Sequence, residues 1–125
     1  MVPPEIIDQF ALAGDVREVR RRVGEYLYGT GEDTMETVVA ALLTSRGARL
    51  AVAESCTGGL VAHRLTNVPG SSRYLVGAVV AYDNGWKERL LGVSGEDLAR
   101  HGAVSEPVAA AMAAGVRRVA GADYG

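Results

Sequence analysis

Residues 50–59 read LAVAESCTGG, and this stretch decides how the rest of the sequence is interpreted. The apolar run over 50–53 is short and follows a glycine turn, so it predicts a buried strand. The continuation GGLVAHRLTN predicts a helix, so residues 49–67 are predicted as strand, tight turn and helix. Such a junction exposes side chains at the carboxyl end of a strand, where open α/β sheets bind their ligands.

The same alternation continues on both sides of this stretch. Downstream, the pattern predicts a strand over 74–82, helices over 85–91, 95–100 and 105–120, and the approach to another strand at 121–125. Upstream, it predicts helices over 3–13, 15–23 and 33–47, and a short strand over 25–28. Strands that alternate with helices predict an α/β fold, here a three-layer sandwich whose central, mostly parallel sheet is covered by helices. We expect this fold to be incomplete at its C-terminal end, because the last strand lacks a following helix.

Short polar side chains mark the predicted helix starts. Asp33 followed by Glu36 resembles a capping box. Asn84 and Ser94 are predicted to cap the two helices after the second strand. Ser105 precedes the last helix and is predicted to cap it.

Composition restricts the classes of function. The chain has 125 residues, of which 48% are hydrophobic and 22% charged, and this suits one folded domain. The net charge of −2 lacks the basic excess of a nucleic-acid-binding surface. Cys56 is the single cysteine, so no internal disulfide can form and a reducing cytoplasm is favoured. No stretch approaches the roughly 20 apolar residues of a membrane span. We expect a cytoplasmic protein with no nucleic-acid or membrane partner.

The motif AESCTGG, residues 53–59, carries the clearest chemical signal. Ser55 and Thr57 lie where the strand passes into the helix, whose first N–H groups can cradle a phosphate or an oxyanion. The alternative is that both hydroxyls only cap the helix. Cys56 is a candidate nucleophile on chemical grounds, although a lone cysteine beside a strand is more often a small buried hydrophobe.

A second cluster, AYDNGWK, spans residues 81–87. Tyr82 closes the second predicted strand and Lys87 lies in the first turns of the next helix. In a parallel sheet both would project from the same edge as Ser55. A partly desolvated lysine can serve as the general base for a serine nucleophile, with the tyrosine relaying or orienting the proton. The alternative is an exposed lysine and a core tyrosine.

A third cluster, RHGAVSEP, spans residues 100–107. His101 is a candidate general base, but no partner for it is visible in the sequence. Ser105 is more simply a helix cap, with Glu106 favoured at the positive helix start. His63 is predicted to be a surface residue of its helix. Two histidines and one cysteine, widely separated, do not predict a transition-metal site.

The motifs AESCTGG, VPGSS, AYDNGWK and HGAVSE, in this order and spacing, resemble the CinA C-terminal domain family. The resemblance covers residues 33–125. Residues 1–32 look like the segment that precedes this domain in two-domain CinA proteins, and are interpreted as a linker or a remnant of a middle domain.

The resemblance implies a hydrolase that converts nicotinamide mononucleotide to nicotinate mononucleotide and ammonia in pyridine nucleotide salvage. By the family motif, Ser55 is the nucleophile, Lys87 its base and Tyr82 an assisting group. Backbone N–H groups near Thr57 and Gly58 would stabilise the oxyanion or hold the phosphate. The implied substrate-binding residues are Glu54, Thr57, Gly58, Gly59, Gly70, Ser71, Ser72 and Ser105. No metal or organic cofactor is implied, and a homodimer is an open expectation.

Two departures from the family pattern leave alternatives open. Relatives continue with a TGIAGP-type loop and a KPVGTV-type strand that this sequence lacks, and Asp83 stands where serine is more frequent. A non-catalytic nucleotide-binding module therefore remains an alternative function. So does a packing or oligomerisation domain of a two-domain CinA-like protein.

Overall fold

The computed structural model describes residues 16–125, which divide into two compact units, one up to Ala41 and one over Leu42–Gly125. The helices are α1 (Val16–Val23), α2 (Met35–Arg46), α3 (Leu60–Thr66), α4 (Asn84–Leu91), α5 (Gly95–His101) and α6 (Glu106–Ala120). The strands are β1 (Leu50–Glu54) and β2 (Leu75–Val80), and short 3₁₀ turns occupy Gly24–Tyr26 and Ser71–Arg73. Helices and parallel strands confirm the predicted α/β fold. No helix in the described part of the chain has the length and apolarity to cross a bilayer.

The second unit is built on a parallel sheet in which β1 pairs with β2, with Ala51 opposite Gly77 and Glu54 opposite Val80. On the other side of β1, Leu50 forms an isolated parallel bridge with Tyr124. The N–H of Ala51 donates to the Tyr124 carbonyl at 3.0 Å. The segment 121–125, which the sequence predicts as the approach to another strand, therefore pairs with β1 in parallel at Tyr124.

Helices cover both faces of this sheet. Side chains alternate between the faces of a strand, so Ala51 and Ala53 of β1 share one face. Ala51 belongs to the buried core cluster together with Val108 and Val116 of α6, and the partly buried Ala53 packs against that cluster. The opposite face carries Glu54, whose carboxylate is bonded to the N-terminus of α3. The sheet consequently lies between α6 and α3, which is the three-layer arrangement predicted above.

Close packing of α4 against α6 depends on a glycine. Gly115 is buried in α6, and a Cβ added there would overlap the carbonyl oxygen of Leu91, the last residue of α4. The same carbonyl accepts a hydrogen bond of 3.1 Å from Arg118. A larger residue at 115 would have to push the two helices apart.

Some local predictions are wrong. Residues 25–28 form no strand, because Gly24–Tyr26 is a 3₁₀ turn. The capping box at α2 is shifted by one residue: Thr34 and Thr37 each accept the other's backbone N–H. At α4 the N-cap position belongs to Asp83, so Asn84 is already helical. Ser94 does cap α5, accepting from the Asp97 N–H at 2.9 Å. The predicted helix over 3–13 lies outside the described residues.

Candidate active site

A cleft of about 490 Å³ opens at the carboxyl end of β1. One wall is formed by residues 53–57 and Val61, which are the end of β1, the following turn and the first turns of α3. The other wall is formed by residues 103–106, Ala109 and Met112, which are the loop before α6 and one side of that helix. The topology therefore brings the AESCTGG and HGAVSE motifs together around one cavity.

Glu54 is the buried charge of this region, with 3% of its surface exposed. Its carboxylate accepts backbone N–H bonds from Gly59 (3.0 Å), Val61 (3.1 Å) and Ala62 (2.8 Å). Burial pushes the pKa of Glu54 up, but these bonds and one from Thr57 outweigh it, so the pKa lies below its usual range. Glu54 is thus an ionised carboxylate that occupies the positive N-terminus of α3.

Two of the N–H groups at the glycine turn, where a phosphate or oxyanion cradle was predicted, already have partners within the protein. The N–H of Gly58 donates to the Ser55 carbonyl at 3.1 Å, and the N–H of Gly59 donates to Glu54. A second anion at the start of α3 would compete with a carboxylate already in place. The Glu54 carboxylate holds the turn that carries Ser55, and its predicted role in substrate binding stays a prediction.

Ser55 and its two neighbours all line the cleft. Ser55 is partly exposed at the point where β1 ends, so its hydroxyl is accessible to a ligand. Cys56 is exposed, which contradicts the interpretation of this thiol as a buried hydrophobe. Thr57 hydrogen-bonds the Glu54 carboxylate through its side chain, so its local role is to support the turn.

Lys87 and Tyr82 lie at the same edge of the sheet. Their burial is the reverse of the alternative in which the lysine is exposed and the tyrosine belongs to the core. Lys87 is only 1% exposed, whereas Tyr82 is 76% exposed. The Lys87 ammonium donates to the Tyr82 carbonyl at 2.9 Å. The preceding residue, Ala81, donates its N–H to the Glu54 carbonyl at 2.8 Å, next to Ser55. The Lys87 side chain is therefore bonded to the Tyr82 carbonyl and not to the Ser55 hydroxyl.

Ser105 occupies the N-cap position of α6, as predicted, but its hydroxyl does not cap the helix. The hydroxyl instead donates to the Gly102 carbonyl at 2.9 Å, and this bond closes the loop that forms the cleft wall. Glu106 follows as the first residue of α6. Both residues line the cleft opposite Ser55.

Comparison with known proteins agrees with these motifs. The CinA C-terminal domain family matches residues 32–125. The chain belongs to this family. It is 54% identical over 117 residues to a CinA-like protein of Anaeromyxobacter dehalogenans, covering 90% of this chain and 29% of that protein. A CinA-like protein of Gloeobacter violaceus is 56% identical over 107 residues, which are 86% of this chain and 25% of that protein.

Solved CinA structures share the fold. The competence damage-inducible protein A of Klebsiella pneumoniae matches with a TM-score of 0.68 and 40% identity, over 70% of this chain and 55% of that one. A CinA superfamily protein of Enterobacter cloacae matches with a TM-score of 0.71 and 39% identity, over 78% of this chain and 59% of that one. The chain thus spans about a quarter of the curated CinA relatives and little more than half of these structures.

Several predicted site residues of this CinA domain do not line the cleft. Its walls do not include Tyr82 and Lys87, which follow β2, or Gly58 and Gly59, which precede α3. Gly70 precedes the 3₁₀ turn before β2, and Ser71 and Ser72 belong to it; none of the three lines the cleft. Their predicted roles in substrate binding remain predictions. His101 and His63 are exposed, and His63 is the surface residue that the sequence predicts.

Sequence reasoning missed the apolar wall of the cleft. Ala109 and Met112 follow Ser105 at spacings of four and three residues, so all three share one side of α6. That periodicity was a usable signal. Val104 also lines the cleft, although it is 87% exposed. Its isolated position in a loop offered no pattern that could have singled it out.

Proposed function

We propose that this domain hydrolyses the carboxamide of nicotinamide mononucleotide to nicotinate mononucleotide and ammonia, with Ser55 as nucleophile and Lys87 as its base. The main support for the proposal is that Lys87 is buried at the same edge of the sheet at which Ser55 lines the cleft. Lysine is almost never fully buried unless its ammonium is paired. This ammonium donates a hydrogen bond to a neutral carbonyl, that of Tyr82. Such a position costs stability, which a catalytic role would explain.

The chemistry requires Lys87 to be uncharged when Ser55 attacks. A neutral amine can donate one N–H to the Tyr82 carbonyl while its lone pair accepts the Ser55 proton. The Ser55 oxygen then forms a bond to the carboxamide carbon, and the proton passes to the departing nitrogen, which leaves as ammonia. Water attacks the resulting ester in the second half of the reaction. Nicotinate mononucleotide is released and the serine is restored.

Tyr82 has a supporting role in this proposal. Its carbonyl holds the Lys87 side chain, and its ring is exposed. Removal of the ring oxygen leaves that carbonyl in place. We therefore expect Tyr82→Phe to lower kcat less than Lys87→Met does.

A non-catalytic nucleotide-binding module is the second candidate. The hydrogen bond from Lys87 to the Tyr82 carbonyl favours it, because an ammonium held by that carbonyl is not bonded to the Ser55 hydroxyl. A competence/damage-inducible protein of the CinA type that carried such a module would bind the nucleotide without releasing ammonia.

Ammonia release from nicotinamide mononucleotide, with nicotinate mononucleotide detected by mass spectrometry, separates the two candidates. Release by the unsubstituted chain should fall at least about a hundredfold in Ser55→Ala and in Lys87→Met, because each change removes a group that acts in bond making. Cys56→Ala is the matched control, since it alters the adjacent side chain of the cleft wall and should retain activity. Activity that survives in Ser55→Ala would contradict the mechanism, and binding without release would favour the second candidate.

A further inference from the structure

The charge of the cleft wall has one sign. Among the residues that line it, the charged ones are Glu54 and Glu106, and none is lysine, arginine or histidine. Glu54 is compensated by the N–H groups at the start of α3. Glu106 is exposed, and its carboxylate makes no ion pair or hydrogen bond with the side chains and backbone of residues 16–125. One negative charge at the start of α6, with no cationic side chain paired to it, therefore faces the cavity.

The rest of the lining is mostly apolar. Val61, Val104, Ala109 and Met112 present aliphatic or thioether surface to the cavity. An apolar wall with a single free carboxylate suits a flat ring that carries a positive charge, whereas it disfavours a phosphate group. In the proposed substrate the pyridinium ring is cationic and the phosphate is anionic. The two ends of that molecule should consequently lie in different places.

We propose that the cleft receives the cationic nitrogen heterocycle of its substrate, that Glu106 is the residue that selects for the ring's positive charge, and that the phosphate lies outside the cleft. This inference rests on the proposed function, because it assumes that the ring bears the carboxamide that Ser55 attacks. It makes Glu106 a specificity-determining residue and not a participant in bond making. The ring would enter with its carboxamide toward the end of β1, where Ser55 lies.

Binding to the Ser55→Ala protein tests this inference without turnover. The probes are nicotinamide mononucleotide and its 1,4-dihydro form, which keeps the carboxamide, ribose and phosphate but has a neutral ring. Glu106→Gln should raise the Kd of the oxidised form about two- to fivefold, the range expected for an exposed ion pair, and should not raise the Kd of the dihydro form. Nicotinamide riboside, which is cationic and lacks the phosphate, should respond as the oxidised mononucleotide does.

Two controls isolate the charge at the cleft. Glu96→Gln removes a carboxylate from the first turn of α5, outside the cleft, and should leave both Kd values unchanged. Glu106→Asp keeps the charge at the helix start and should retain most of the preference. Circular dichroism of each variant verifies that α6 is intact.

The outcomes separate this inference from the proposed function. Equal shifts for the oxidised and dihydro forms, no shift for either, or no binding of the oxidised form would each overturn the role of Glu106. If the unsubstituted chain nevertheless releases ammonia, the proposed function stands without it. Selective binding of the cationic form without ammonia release would support the inference about the ring and refute hydrolysis.

Discussion

Replacement of Glu54 should destabilise the second unit, because its carboxylate is the acceptor for the first turn of α3. Three backbone N–H groups donate to it at 2.8–3.1 Å, and Thr57 adds a side-chain bond. Hydrogen bonds to charged groups contribute about 1.5–3 kcal/mol each, and bonds that share one acceptor are not additive. Glu54→Gln keeps one acceptor oxygen but turns an N–H₂ group toward backbone donors. We expect it to lower the free energy of unfolding by about 2–4 kcal/mol.

The pH dependence provides an independent readout. The folded-state pKa of Glu54 lies below its ordinary value, because the hydrogen bonds outweigh the desolvation that raises it. A carboxyl group of this kind adds stability above its unfolded pKa of about 4.3, and this stability is lost as the pH falls through the folded-state pKa. The parent protein should therefore lose stability in acid more steeply than Glu54→Gln, whose amide does not titrate.

Urea unfolding followed by far-ultraviolet circular dichroism, at pH 7 and in steps down to pH 3, measures both effects. Glu96→Gln is the matched control, because it removes an exposed carboxylate from the first turn of another helix and should change stability by less than about 0.5 kcal/mol. A Glu54→Gln protein as stable as this control at pH 7 would refute the reasoning. So would a pH profile that coincides with that of the parent.

Two further substitutions test the packing. Gly115→Ala should cost about 1–3 kcal/mol despite alanine's higher helix propensity, since its Cβ would overlap the Leu91 carbonyl oxygen. Gly85→Ala, whose Cβ would meet only movable side-chain tips, should lie within about 1 kcal/mol of the parent in the same urea titration. Tyr74→Phe removes a buried hydroxyl that donates to the Leu65 carbonyl at 3.0 Å and should cost about 1–2 kcal/mol. Burial raises the pKa of Tyr74, so parent stability should fall above about pH 10, where the unfolded phenol ionises first. A Tyr74→Phe protein that shows the same alkaline loss would contradict that assignment.

Periodicity and turn chemistry predicted most of the secondary structure. The strand at 50–53, the helix that ends before Gly47 and the cap at Ser94 all depend on residues close together in the chain, and the structure confirms them. The predicted strand over 25–28 was wrong because a strand depends on residues that are distant in the chain. A strand needs a neighbour to satisfy its backbone groups, and short-range propensity cannot supply one.

The candidate site was predictable only in part. Ser55 was singled out because a strand-to-helix junction exposes its residues, and it does line a cleft. Lys87 is buried and Tyr82 is exposed, which reverses the alternative of an exposed lysine and a core tyrosine. The sequence could not decide between the two, because both depend on how α4 packs. Glu54 was assigned to substrate binding only through the family resemblance, and its backbone partners were not visible in the sequence.

The sequence by itself determined the family, the α/β alternation and the positions of Ser55 and Lys87 along the chain, because these depend on residue type, order and spacing. Only the tertiary structure decided which groups meet. It engaged the start of α3 with Glu54, placed Glu106 and Met112 across a cleft from Ser55, and joined Lys87 to the Tyr82 carbonyl. The cleft follows from the parallel pairing of β1 with β2 and from the packing of α6, which bring together residues that are up to about half the chain length apart. The bonds of Glu54 and Lys87 join residues five to eight positions apart, but the directions of those side chains depend on how the elements pack.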